Sequence, residues 1–366
     1  MASNWWQSRK EELLAVAGQK SPLCVFNEET LNEILFDLLS IEAVDRLFYP
    51  VHTHSHPKIL RKAFELDVGF VCGLFEEIDS LLEAFPGLVP QRIVFFSDNA
   101  SDSDLERAFR RGVHVVINHM ETLNRGPHIF RNREVFLLRD VGHGQEWKGL
   151  TEASVNGFYL CSTRDSPLLR DSDETVACFM EALNQLPHGS THILGNSRGT
   201  GGGQEKRIMD IPTLADFVEA IKDSCPHVHL WLEVPDRMLS CAGVLLARVI
   251  ETGEEAGTPY IRIHMDMKAP LYDGLHRPPH HIINLSKPDD QESTSMVRIR
   301  GLEQDSGNSI DVVKASPPAD AGDVLLFTDM GACGTGSNAG DKREHPVPIH
   351  YLSARSMCPV DIYKES

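Results

Sequence analysis

Phe48-Tyr49-Pro50-Val51-His52-Thr53-His54-Ser55-His56-Pro57-Lys58-Ile59-Leu60 changes character at Pro57. Ahead of that proline the segment is short and apolar at its start, which predicts a strand ending at the proline. Behind it, Pro57 to Leu66 predicts a helix, and proline is tolerated in a helix's first turn. Side chains two apart on a strand share a face, so this reading points His52, His54 and His56 the same way. A strand, a row of imidazoles and a helix together make the opening of a β/α unit.

The unit repeats. Leu31 to Leu39 has helical spacing after the start Asn27-Glu28-Glu29-Thr30. Arg92 to Phe96 predicts a strand, and Ser101 to Arg111 a helix opened by Ser101-Asp102. Val113 to Ile117, Val135 to Leu138, Gly157 to Leu160, His192 to Leu194 and Val228 to Leu232 continue the strand series. Asp173 to Leu186 and Pro212 to Asp223 read as helices between them. About eight such units over ~240 residues is the rhythm of an α/β (β/α)8 TIM-like barrel, with a doubly wound sheet as the alternative. After Ala242 the pattern changes to strands separated by turns: Val244 to Ile250, Tyr260 to His264, His281 to Leu285, Met296 to Arg300 and Val324 to Phe327. The expected organisation is a barrel domain over residues 25–240 and a C-terminal β domain made from residues 1–24 and 241–366.

Composition excludes several classes. No run approaches the length of apolar residues that a membrane span needs, and the first ten residues lack a charged start followed by an apolar stretch. A cytoplasmic protein is the expectation. A net charge of -18 repels a phosphate backbone and argues against nucleic-acid partners. The eight cysteines include no CxxC pair, which leaves neither a zinc knuckle nor a disulfide framework.

Several landmarks occur in order. Ser21 to Phe26 leads into Tyr49-Pro50-Val51-His52-Thr53-His54-Ser55-His56-Pro57. Arg92 to Phe95 with Asn99, Ala242-Gly243-Val244-Leu245-Leu246, Gly301 to Gly307 and Asp329-Met330-Gly331-Ala332-Cys333 follow. Together they resemble the alanine-racemase-like barrel decarboxylases, fold type III pyridoxal-phosphate enzymes acting on diaminopimelate, ornithine and arginine. The likeness runs from about Ser21 to about Tyr351. It implies a head-to-tail homodimer with sites near the interface, and a small-molecule substrate.

The departures carry as much information. The family motif Tyr-Ala-Val-Lys-Ala-Asn-Ser-Asn-Pro places its Schiff-base lysine at His52, and an imidazole cannot form that linkage, which argues against covalent pyridoxal phosphate. Phe158-Tyr159-Leu160-Cys161-Ser162 stands where a Phe-His-Val-Gly-Ser-like segment stacks on the cofactor. Leu194 to Thr200, with Arg198 and a displaced run Gly201-Gly202-Gly203, stands where a glycine loop binds its phosphate. Glu233-Val234-Pro235-Asp236 keeps the glutamate that contacts the pyridine nitrogen and loses the arginine unless Arg237 takes its place. Asp305 is kept, while Gln304 and Cys333 replace a cysteine and a tyrosine.

From these residues a rebuilt pocket is expected. His52, Glu233 and Cys161 are the candidate catalytic groups, because an imidazole moves protons near neutral pH and a glutamate without its cofactor can hold a substrate cation or carry a proton. His54, His56, Tyr159, Arg198, Asp305 and Cys333 are the candidate substrate contacts. A His-x-His-x-His row also suits a divalent metal held by His52, His54 and His56. Three functions follow: a pyridoxal-independent lyase, cyclase or isomerase on a small amino-acid-derived or carboxylate substrate; an inactive homologue that binds or regulates; or a metal-dependent barrel enzyme.

Overall fold

The computed structural model describes residues 4–97, 100–140, 154–161, 177, 179–181, 183, 189–195, 210–265, 281–287, 294–302, 312–332, 348–352 and 357–358. The chain divides into two compact units. One comprises Met1–Ile34, Gln204–Lys206 and Arg237–Ser366, and the other Leu35–Gly203 and Arg207–Asp236.

The first strand, β1 (Leu23–Asn27), belongs to the former unit; the next eight form the latter. They are β2 (Arg46–Pro50), β3 (Gly69–Cys72), β4 (Ile93–Phe96), β5 (His114–Ile117), β6 (Glu134–Asp140), β7 (Ser154–Cys161), β8 (Thr191–Leu194) and β9 (His229–Glu233). Each pairs in parallel with the next, and β2 returns to β9 with Phe48 opposite Glu233, which closes the sheet into a barrel. A (β/α)8 TIM barrel is therefore the fold of this unit. Helices recur between strands for local reasons. Ser101 Oγ accepts from the Asp104 amide at 3.2 Å while Asp104 Oδ2 accepts from the Ser101 amide at 3.1 Å, a reciprocal cap on the helix Asp102–Arg111. Asp210 caps the helix Ile211–Ser224 through the Thr213 amide at 2.9 Å. Of the predicted helix over 173–186, most lies outside the described residues.

Alternate residues point into the barrel and fill it. Phe48, Phe96, Phe136, Tyr159 and Trp231 share one buried cluster with Val71, Val94, Val116, Cys161 and Ile193. The rings meet edge-on or tilted. Phe48 lies 5.1 Å from Trp231, and Phe96 lies 5.0 Å from Tyr159 at 73°. Each such pair contributes about 0.5–1.5 kcal/mol beyond the area it buries.

The other unit is a nine-stranded sheet. Its further strands are β10 (Gly243–Glu255), β11 (Thr258–Ile263), β12 (Ile282–Asn284), β13 (Ser295–Arg300), β14 (Val312–Ser316), β15 (Val324–Phe327), β16 (Ile349–Leu352) and β17 (Met357–Cys358). The main path runs β14-β13-β11-β10-β1-β16-β17, with β15 beside β10 and β12 beside β15. A register shift between Val249 and Glu251 divides β10, whose first part pairs with β1 and β15 and whose second part pairs with β11. Apolar side chains pack on both faces: Leu245, Ala247 and Phe327 in one cluster, Leu23, Leu246 and Leu326 in another.

Candidate active site at the end of the barrel strands

The histidine row is not a strand. β2 ends at Pro50, Val51–Thr53 is a turn, and His56 is the N-cap of the helix Pro57–Glu65. The Thr53 amide closes the turn on the Pro50 carbonyl at 3.1 Å, and the Val51 amide still reaches Val71 O on β3 at 2.9 Å. Tyr49, fully buried, donates its hydroxyl to His54 O at 3.0 Å and fixes the loop from below. The expectation of one shared face for His52, His54 and His56 is thereby corrected.

Two of the imidazoles are turned to backbone. His54 Nδ1 accepts from the His56 amide at 3.2 Å, and His56 Nδ1 accepts from the Lys58 amide at 3.2 Å. A neutral ring whose Nδ1 accepts carries its proton on Nε2 and has no second lone pair for a metal. Both rings stay neutral. Burial, with the neighbouring His56, pushes His54 down to about 3, and burial, with Lys58 nearby, pushes His56 down to about 4. Among the described residues no group of three or more His, Cys, Asp or Glu is arranged to hold a metal ion.

His52 has a different neighbour. Its Nε2 stands 3.8 Å from Asp236 Oδ2, and Thr53 donates its hydroxyl to Asp236 Oδ1 at 2.6 Å. Asp236 follows β9 by three residues and opens the short helix Asp236–Ser240. The His52 side chain is partly exposed, while its Nδ1 is buried with no hydrogen-bond partner among the described residues. Nothing in the sequence distinguished Asp236 from the other residues of its turn. Its contact with Thr53 spans 183 positions of the chain.

Beneath the loop, Tyr159 on β7 donates its hydroxyl to Glu233 Oε2 at the end of β9. Both side chains are buried, as is Cys161, two residues further along β7. Between β7 and β9 runs β8, and Gly195 follows it, its amide bonded to Leu160 O at 2.9 Å. A Cβ on Gly195 would lie 2.0 Å from Tyr159 Cζ and 2.1 Å from its hydroxyl oxygen. No side chain fits there while Tyr159 keeps its position. Among the expected contacts, Arg198, Asp305 and Cys333 lie outside the described residues, as do Asn99, Gln304 and the Gly201–Gly203 run; of Arg237 only the backbone is described.

Comparison with known proteins bears on this barrel directly. Residues 39–155 match the family described as "Pyridoxal-dependent decarboxylase, pyridoxal binding domain". A diaminopimelate decarboxylase of Deinococcus radiodurans is 23% identical over 350 residues, covering 91% of this chain and 90% of that protein. Among solved structures, AQ1208 from Aquifex aeolicus superposes with a TM-score of 0.74 at 17% identity over 95% of this chain and 90% of that one. The lysine decarboxylase of Selenomonas ruminantium superposes with 0.70 at 14% identity over 93% and 94%. Over residues 39–155 the chain is thus similar in sequence to the pyridoxal-binding domain of pyridoxal-dependent decarboxylases, and over nearly its whole length it shares the fold of decarboxylase structures.

Proposed function

We propose that this barrel works without covalent pyridoxal phosphate, as an acid/base enzyme of the lyase, cyclase or isomerase type. The observation that carries the reading is the pair His52 and Asp236, 3.8 Å apart at the end of the barrel strands, with Asp236 held by Thr53. A carboxylate this near an imidazole favours the charge the ring gains on taking a proton, which general acid/base catalysis can use. Glu233 and Cys161 lie deeper on the inward positions of β9 and β7. The residues present do not suit the cofactor of the family. His52 offers no primary amine for an imine, and the buried phenol of Tyr159 stands against Glu233.

The relatives, decarboxylases of diaminopimelate and lysine, support a substrate class. A small amino-acid-derived or carboxylate molecule is the proposed substrate, and a homodimer the proposed assembly. One observation favours a second reading, an inactive homologue that binds or regulates: Tyr159 is fully buried and occupies the carboxylate of Glu233.

The experiment is a turnover screen. Purified protein, treated with hydroxylamine to strip any adventitious aldehyde, is incubated with a panel of α-amino and diamino carboxylic acids and followed by proton NMR. Turnover that survives the treatment and falls at least about a hundredfold in His52→Gln, the range general acid/base catalysis supplies, supports the enzyme. Loss of all turnover on stripping sinks the pyridoxal-independent reading. Binding of panel compounds without turnover, equal in wild type and His52→Gln, favours the inactive homologue.

A further inference from the structure

We infer that Tyr159 fills the place of a pyridoxal ring in this barrel, so that restoring a lysine at position 52 is not enough to restore cofactor binding. The inference rests on the reading above, that covalent pyridoxal phosphate is not used, and it names the side chain that stands in the way.

Four observations converge. Tyr159 is fully buried in the inward layer of the barrel. Its hydroxyl donates to Glu233, the residue whose counterpart in the resembling decarboxylases faces the pyridine nitrogen. A phenol and a protonated pyridine are alike here: each is a flat six-membered ring with one donor on its edge, so the tyrosine answers the same carboxylate from within the chain. The tip of the phenol lies against Gly195, the second residue of the segment that resembles the phosphate loop, so closely that a Cβ there would sit 2.0 Å from Cζ. Phe96 meets the ring at 5.0 Å and 73°, which leaves tyrosine little freedom to swing aside. The side chain thus spans from β7 past the end of β8 to β9. Two rings cannot both lie there.

A lysine at 52 would supply the amine: it condenses with the aldehyde of pyridoxal phosphate, a C=N bond forms, and the aldehyde oxygen leaves as water. Whether the aldehyde arrives depends on Tyr159. Pyridoxal phosphate is titrated into wild type, His52→Lys, His52→Lys/Tyr159→His and His52→Lys/Tyr159→Phe, with binding read from visible absorbance and from the mass of the borohydride-reduced adduct mapped to residue 52. The Tyr159→His change keeps a ring of shorter reach, and the Tyr159→Phe change keeps the bulk without the hydroxyl. Circular dichroism and a cooperative thermal transition establish that each variant is folded.

The expected result is one equivalent bound per chain in the histidine double variant, with an apparent affinity at least about tenfold above that of His52→Lys, and no gain in the phenylalanine double variant. Equal binding by His52→Lys alone overturns the inference, as does a folded histidine double variant that gains nothing. If that variant does not fold, His52→Lys/Tyr159→Leu decides on the same readout. The pattern is the same whether or not the wild-type barrel turns anything over. A visible pyridoxal adduct in wild type would instead overturn the cofactor-independent reading itself.

Discussion

His54 accepts a hydrogen bond from the backbone amide of His56 at 3.2 Å, and their rings stand 6.1 Å apart at 75°. Both are buried neutral imidazoles, and a third occurs in the barrel wall. His192 on β8 is fully buried, accepts from the Phe158 amide at 3.3 Å, meets Ser190 Oγ at 2.7 Å, and is pushed by burial down to about 4. Such groups make the fold sensitive to acid in a definite window.

The sign follows from which state binds the proton. From the ordinary imidazole value of 6.5 downward, the unfolded chain takes a proton at each of the three, while the folded chain refuses it until about 4 at His56 and His192 and about 3 at His54. Stability is therefore whole above about pH 6.5 and declines as the pH falls toward 4, by about 1.4 kcal/mol per unit for each imidazole. Urea midpoints measured from pH 7 to pH 5 should fall steeply, and His192→Gln should flatten the decline. A midpoint constant across that range would refute the assignment.

Replacing the cap of the helix Pro57–Glu65 tests the loop geometry. His56→Ala removes the acceptor of the Lys58 amide and should cost about 0.5–2 kcal/mol in equilibrium unfolding, whereas His56→Asn should recover most of it. If His56→Asn is no better than alanine, the cap is not what the side chain contributes.

Tyr159→Phe keeps the ring and removes the hydroxyl that Glu233 accepts from. Leaving a buried carboxylate short of a donor should destabilise the protein by about 1–3 kcal/mol. Denaturant unfolding of the variant checks this, and an unchanged midpoint would mean that Glu233 finds its donors elsewhere.

Gly195→Ala should be destabilising by about 1–3 kcal/mol, because its Cβ would fall on the phenol of Tyr159. A smaller residue at 159 should relieve that cost. A double-mutant cycle of Gly195→Ala with Tyr159→Leu should show a coupling above about 0.5 kcal/mol, and additivity of the two changes would contradict the contact.

Much of this architecture was legible in the chain, and the exceptions have physical causes. The strands β4 to β9 announce themselves as short apolar runs between turns. β3 escaped notice because it is four residues long and begins with Gly69, a residue disfavoured in strands. The glycine is there because a Cβ would come within 2.6 Å of the Phe48 ring and 2.7 Å of Arg92 O, a contact that no local pattern discloses. The histidine row misled for the opposite reason. Its two-residue alternation imitates a strand, but the side chains bond to amides two positions on, as turn and cap residues do. The resembling motifs singled out Tyr159, Cys161 and Glu233, yet only the closed barrel brings Tyr159 and Glu233 within one hydrogen bond. The partnership of His52 with Asp236 depends likewise on barrel closure, which sets the chain after β2 beside the chain after β9.

The order of strands in the second unit decides where this molecule is open to unwanted pairing. A closed barrel presents no free strand edge, whereas the nine-stranded sheet ends on one side at β14, which among the described residues pairs only with β13. That edge is five residues long and carries Val313 exposed beside Ala315. It runs directly into Pro317-Pro318, two residues with no amide to donate, so a foreign strand has a short purchase there and cannot extend past Ser316.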